Sequence, residues 1–362
     1  MFKRRVINFN AGPAALPDAV LQQAHHEFFN WQAQGVSILE LGHRSDAFYQ
    51  LTLHSKQLLR SIFNIPDEYD ILFAPCSTRG HFAFLPLNLI TGYDCLDYVE
   101  TGYWSAQAIA QAQKYAEVNI VANSSASQYT TIPAQQTWQL SKNPAYLHYT
   151  DNETIDGVEF TYTPESPHAP LIADMTSSIL SKPIDINKFG VVYAGAQKNL
   201  GVAGISLVII RKDLLARSSE TIPEVFNYQT ISKAESLYST PDLFAWYITT
   251  LILEWVQQQG GIDYFYQQSL LKSQLLYQLI DQDEFYQNNV DVEYRSRMNV
   301  IFTIHDQALE QQFVQEALEH EFIGIKGHKA KGGLRVSLYN AITLEQTQKF
   351  AEFMKDFKNR YG

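Results

Sequence analysis

The chain has 362 residues, enough for two domains or for one large core with a smaller one appended. Apolar residues make up 46% and charged residues 18%, which excludes a disordered chain. With 27 Lys and Arg against 38 Asp and Glu the net charge is −11, which argues against a general nucleic-acid surface, so anionic ligands must be held by local arginines, histidines or backbone donors.

Asn8 to Pro17 begins extended and turns at Gly12-Pro13, and Asp18 then starts a predicted helix carrying Val20, Leu21, Ala24, Phe28 and Trp31, ended by Gly35. Ile38 to Ser45 reads as a short strand whose turn delivers His43 and Arg44. These two are either surface polar residues or an anion clamp. Ser45 is placed to cap a helix running through Phe48, Leu51, Leu58 and Phe63.

From Tyr69 the texture becomes strand, helix, strand, which predicts βαβ units and a mainly parallel sheet. The strand Ile71–Ala74 leads into Ser77-Thr78-Arg79, where a phosphate would sit on the next helix N-terminus unless the hydroxyls are merely caps. Cys76 and Cys95 are the only cysteines, without CxxC or Cys/His metal spacing, so free thiols, a cytoplasmic location and no metal are expected. After the strand Cys95–Glu100 an alanine-rich helix opens at Gly102. Trp104 sits at this junction, either as packing or as a flat surface for a planar ring. Val118–Ala122 and Ala145–Tyr149 continue the sheet, and Thr150 to Gly157 reads as a polar loop.

Ala169–Asp174 is an apolar run that ends in a carboxylate, and an aspartate at the tip of a buried strand needs a partner. Gly190 to Gly204 is an apolar strand running into a glycine-punctuated loop with Lys198 at the turn and no carboxylate beside it in sequence. One reading is a solvated loop lysine. The other is an amine of lowered pKa that forms a Schiff base. Asp174 and Lys198, one connection and one strand apart, are expected at neighbouring strand ends.

Downstream, Ser206–Arg211 is a strand, and Asp242 to Gln259 a long apolar helix. Its core is shorter than the ~20 residues a membrane span needs and contains Glu254, so no membrane role is expected. Gly260-Gly261 is the candidate hinge. A helix (Tyr264 to Asp281), a strand (Arg297 to Ile304) and a helix (Leu309 to Glu319) follow. In the closing strand Leu334, Val336 and Leu338 share one face and Arg335, Ser337 and Tyr339 the other, so Arg335 faces either water or a site. A helix from Thr343 to about Lys358 ends the pattern.

The motifs Asn8-Phe-Asn-Ala-Gly-Pro, Gly42-His-Arg, Asp97-Tyr-Val-Glu-Thr-Gly-Tyr-Trp, His148-Tyr-Thr-Asp-Asn-Glu-Thr-Ile-Asp-Gly, Tyr193-Ala-Gly-Ala-Gln-Lys-Asn, Arg295-Ser-Arg-Met-Asn and Gly327-His…Gly333-Leu-Arg span nearly the whole chain. Together they resemble the phosphoserine aminotransferase family, pyridoxal 5'-phosphate (PLP) enzymes of the class V group. The resemblance implies an α/β type I PLP-transferase fold, with a large PLP-binding domain over 16–260 and a small domain from 1–15 and 261–362. It implies that Lys198 forms the Schiff base with PLP, Asp174 pairs with the ring nitrogen, Trp104 stacks on the ring, Thr154 and Gln197 position its oxygen substituents, and Thr78 and Arg79 hold the phosphate. Ser239 and Thr240 would reach that phosphate from a second subunit, in a homodimer with shared sites. His43, Arg44, His328 and Arg335 match substrate positions, Arg335 being the partner of the α-carboxylate. The implied reaction is ping-pong transamination of 3-phosphohydroxypyruvate by L-glutamate.

The alternatives are the 4-phosphohydroxythreonine keto acid of the vitamin B6 route as acceptor, or a PLP-holding module without turnover. Cysteine desulfurase is disfavoured because Cys76 and Cys95 lie at strand ends. Departures from the family pattern are Cys76-Ser77-Thr78 in place of three glycines, Ser239 for Asn, Ala11 for Ser and Lys329 for Arg. They are expected to alter affinity more than reaction type.

Overall fold

In the computed structural model, which describes residues 6–362, a seven-stranded sheet runs in the order Tyr69–Ala74, Ser206–Arg211, Val191–Gly195, Leu171–Asp174, Leu147–Thr150, Cys95–Glu100, Glu117–Asn123. Ser206–Arg211 is antiparallel to both neighbours, and every other pairing is parallel. The apolar runs explain this layout, because a strand covered on both faces needs no polar alternation. Ile71, Phe73, Leu207 and Ile209 enter the core beneath the helices Asp46–Phe63 and Leu243–Gln258. Their neighbours Leu72, Val208 and Ile210 enter the core on the opposite face, with Thr78–Leu89 and Tyr103–Ala112. Burying a single such side chain contributes about 1.5–3 kcal/mol.

A separate apolar cluster gathers Phe9 with Leu276, Phe302, Phe313, Phe350 and Phe357, among others. It is built on the three-stranded sheet Tyr286–Gln287, Asn299–Ile304, Leu334–Ser337 and on the helices Gly261–Ile280, Leu309–Glu319 and Leu344–Tyr361. Ile7–Asn8 pairs in parallel with Phe322–Ile323, so the start of the described chain belongs to this cluster. Within it Lys272 is buried, its Nζ donating to the carbonyls of Leu338, Tyr339 and Ile342 at 2.8, 3.0 and 2.8 Å.

Several local expectations change. The first helix stops at His26, and Trp31 is buried in a separate turn where Gln32 takes a left-handed φ of 46°. Ile38–Glu40 is a 3-10 turn closed by a capping box between Ser37 and Glu40, and the local hydrogen bonds of that box outcompete a strand ladder. The expected polar loop contains a two-residue hairpin, Asn152–Glu153 against Val158–Glu159. Ser45 caps its helix through a bond from Phe48 N, as its position predicts. No described helix is long and apolar enough to cross a membrane.

Candidate active site

Leu171–Asp174 and Val191–Gly195 are parallel neighbours with Asp174 opposite Tyr193, which brings the Asp174 carboxylate and the loop after Gly195 to one sheet edge. Lys198 on that loop is 8% exposed, and its Nζ donates to Thr154 Oγ1 at 2.6 Å. Burial pushes the amine down to about 7; Asp174 and Glu153 pull it back up, while Arg335 pushes the same way as burial. Burial raises the Asp174 carboxyl, against the bonds from Thr176 and the charge of Lys198. Its Oδ1 accepts from Thr176 N at 2.9 Å.

Above this floor lies a cavity of about 140 Å³ lined by Thr78, Arg79, Trp104, Thr154, Asp174, Gln197 and Lys198, among others. The helix Thr78–Leu89 opens toward it without a side-chain cap from Ser77, so the hydroxyls act as something other than caps. Such an end leaves backbone N–H groups and a partial positive charge for an anion. The Arg79 guanidinium lies 5.1 Å from the centre of the Trp104 ring. Two polar atoms of the lining, Trp104 Nε1 and Thr150 Oγ1, are buried without a partner.

The sequence candidates divide into two groups. Seven line the cavity, and two more stand beside it: Arg335 Nη1 donates to the Thr154 carbonyl at 3.4 Å while its Nε is buried unpartnered, and His328 packs on Tyr103 with ring centres 5.5 Å apart. Burial, then the charges of Arg335 and Lys329, lower the His328 pKa. His43, Arg44, Ser239 and Thr240 do not line the cavity. His43 Nδ1 meets Thr240 Oγ1 at 3.2 Å instead, drawing all four into a patch of their own.

Glu153 and Asp156, which the sequence reading passed over, are buried at the base of the Trp104 helix. Glu153 accepts from the backbone N–H of Trp104 and Ser105 at 2.9 and 2.8 Å, and Asp156 from Tyr103 N at 2.8 Å. The available signal was a helix opening at Gly102, with no capping side chain, in a chain that elsewhere places two carboxylates around Thr154. Cys76 Sγ lies 3.5 Å from His81 Nε2, which has the look of a nucleophilic pair. Burial pushes the thiol up to about 11 and the imidazole down to about 3, so both stay neutral and the pair is structural.

A buried amine of lowered pKa, a carboxylate at the sheet edge, a flat aromatic wall and an uncapped helix end with an arginine fit a planar, phosphorylated aldehyde cofactor. Fold and cavity thus define the class, the PLP-dependent aminotransferases. The chain belongs to the class-V aminotransferase family, whose model matches residues 6–350. It is 42% identical over 359 residues to the phosphoserine aminotransferase of Azotobacter vinelandii and 44% identical over 358 residues to that of Marinomonas sp., covering 99% of both chains in each case. Among solved structures it superposes on the phosphoserine aminotransferase of Bacillus circulans subsp. alkalophilus with a TM-score of 0.97 at 41% identity, covering 99% of this chain and 100% of that one. On the PLP-bound phosphoserine aminotransferase of Trichomonas vaginalis the TM-score is 0.93 at 35% identity, covering 97% of this chain and 100% of that one.

Proposed function

We propose that this chain converts 3-phosphohydroxypyruvate and L-glutamate to O-phospho-L-serine and 2-oxoglutarate, with Lys198 as the catalytic amine and Asp174 as its electrostatic counterpart. The observation that carries the reading is the Lys198 amine, buried, held by a single hydroxyl and facing a cavity that ends in an uncapped helix N-terminus. PLP, when bound, supplies an electron-accepting ring that stabilises negative charge at the substrate Cα.

The chain's residues do the rest. Asp174 keeps a proton on the ring nitrogen, favoured because a buried carboxylate seeks a cationic partner. Lys198 takes the proton from the substrate Cα and returns it in the reverse half-reaction, and an amine pushed down to about 7 suits both tasks near neutrality. Trp104 would give the ring a flat wall, Thr154 and Gln197 would address its oxygen substituents, and Thr78 and Arg79 would hold the phosphate, all of them lining the same cavity. Arg335, with an unpartnered buried Nε, binds the substrate α-carboxylate bidentately beside His328.

That Ser239 and Thr240 do not line the cavity of their own chain supports a homodimer in which a second copy supplies them. The two apolar clusters support a division into 16–260 and 1–15 with 261–362, although Ile262, Phe265 and Val290 of the second part pack in the large cluster. The composition and the two free thiols support a cytoplasmic enzyme.

The test uses half-reactions on the PLP-loaded protein. L-Glutamate alone should yield one equivalent of 2-oxoglutarate per site, and 3-phosphohydroxypyruvate added afterwards should yield O-phospho-L-serine. Binding of PLP without 2-oxoglutarate release would leave only a cofactor-holding protein, and faster turnover of the 4-phosphohydroxythreonine keto acid would reassign the acceptor.

A further inference from the structure

Gly102 opens the helix Tyr103–Ala112 without a side chain, and a Cβ there would collide with the Glu153 carboxyl. The first three helical N–H groups are satisfied instead by two carboxylates from the hairpin: Asp156 at Tyr103, Glu153 at Trp104 and Ser105. Both carboxylates are buried, at 0% and 3% exposure, and each bonds a backbone atom at or next to the aromatic wall. A carboxylate at a helix N-terminus is stabilised by the helix dipole and by charge-assisted bonds. Burial, then the charge of Asp156, nevertheless pushes the Glu153 carboxyl up to about 8 against its bonds from Ser105 and Trp104, so Asp156 carries the charge-assisted part of the cap.

Asp156 is also engaged from the other side. Its Oδ1 pairs with Lys331 Nζ at 2.8 Å. Lys331 belongs to the segment Gly327–Gly333, closed on itself by bonds from Gly327 N to the Gly333 carbonyl and from Lys331 N and Gly332 N to the His328 carbonyl. His328 from the same segment lies against Tyr103, the first residue of the helix. Lys331 therefore bridges the segment that carries His328 to the carboxylate that caps the helix of Trp104. Nothing in the transamination chemistry requires a cation at Lys331; its partly exposed ammonium instead compensates the buried Asp156 carboxylate.

We propose that Asp156, acting with Glu153, is a positioning residue for Trp104, and that Lys331 couples it to the Gly327–Gly333 segment so that the aromatic wall and the substrate-binding His328 are set as one unit. The inference rests on the reading of Trp104 as the wall against PLP.

The test is a double-mutant cycle on the PLP-loaded enzyme with D156N, K331M and the pair, and with K331R as the conservative rescue. Three quantities are read: loss of PLP on dilution, the visible circular dichroism of bound PLP, and KM against kcat for both substrates. D156N keeps an acceptor for Tyr103 N but loses the charge assistance and the Lys331 pair, and should weaken PLP retention by about fivefold to tenfold and reduce the dichroic band. K331M should raise KM for both substrates about threefold to fivefold with kcat within about twofold, and K331R should restore it, since an ion pair with one partner partly exposed has this weight. The pair should fall short of the product of the single effects, because the residues act through one contact. Independent effects, a failed rescue by K331R, or a melting-temperature change with no change in PLP retention or KM would overturn the proposal. W104A separates the two levels. If W104A leaves PLP retention and the dichroic band unchanged, the wall itself fails; if W104A weakens both and D156N weakens neither, only the positioning role fails.

Discussion

Among the described residues two lysines are buried, and they teach opposite lessons. Lys198 lies at the edge of the large sheet with one partner, the Thr154 hydroxyl; Lys272 lies in the helix Gly261–Ile280 with three backbone carbonyls around its ammonium. Burial pushes both amines down to about 7. The carbonyls favour the charged form of Lys272, which alone has a donor for each of the three, and so pull against burial. Lys198 keeps two donors uncommitted and faces a cavity. Burial and a lowered pKa are thus shared by a structural and a chemical lysine, and what separates them is whether the nitrogen has anything left to react with.

The largest expected effect of breaking this contrast is at Lys198. Lys198→Ala should lower turnover at least about 10⁴-fold, measured as O-phospho-L-serine formation, with PLP still retained non-covalently. Wild-type-like rates would remove the amine from the mechanism. Asp174→Ala should lower kcat about 10²–10³-fold, a loss of charge stabilisation that steady-state kinetics reads directly. Arg335→Ala should act on binding, raising KM for both L-glutamate and the keto acid by about tenfold or more because both carry the α-carboxylate. An effect on one substrate alone contradicts that role.

Lys272→Met should leave the three carbonyls without a donor and cost about 3 kcal/mol of stability in denaturant unfolding, with kcat of the folded enzyme within about threefold. A collapse of kcat at unchanged stability would erase the distinction between the two lysines. The smallest effect is on pH dependence. An amine at about 7 in the folded state and about 10.5 in the unfolded chain means that the unfolded state binds more protons between these values. Stability of the PLP-free protein should therefore rise with pH across that window, its cost being full below about 7. Lys198→Met and Lys272→Met should each flatten that rise, because burial lowers both amines to about 7.

Much of the central sheet was legible because its strands are continuous apolar runs: Cys95–Glu100 and Ser206–Arg211 stand where the pattern puts them. Ser45 was equally legible as a cap, since capping is a local interaction between residues three apart, and the last helix starts at Thr343 as expected. Ile38–Glu40 was misread because its apolar residues hid the Ser37–Glu40 capping box. In the closing strand, the alternation correctly buries Leu334 and Val336, but Ser337 and Tyr339 on the other face are buried too, bonded to Asn299. A pattern of period two shows that two faces differ, not what each one meets.

By itself the sequence determined the strand-and-helix texture, the placement of Asp174 and Lys198 at adjacent strand ends, and the motif set that marks the family. Those properties depend on local periodicity and short spacing. Only the tertiary structure decided that the Lys198 amine is held by Thr154 rather than by water, and that His43 and Thr240 form a patch away from the cavity. It alone brought Glu153, Asp156 and Lys331 to the base of the Trp104 helix. Asp156 and Lys331 are 175 positions apart, and no local pattern encodes a contact made only when the hairpin and the glycine-rich segment close on the same helix end.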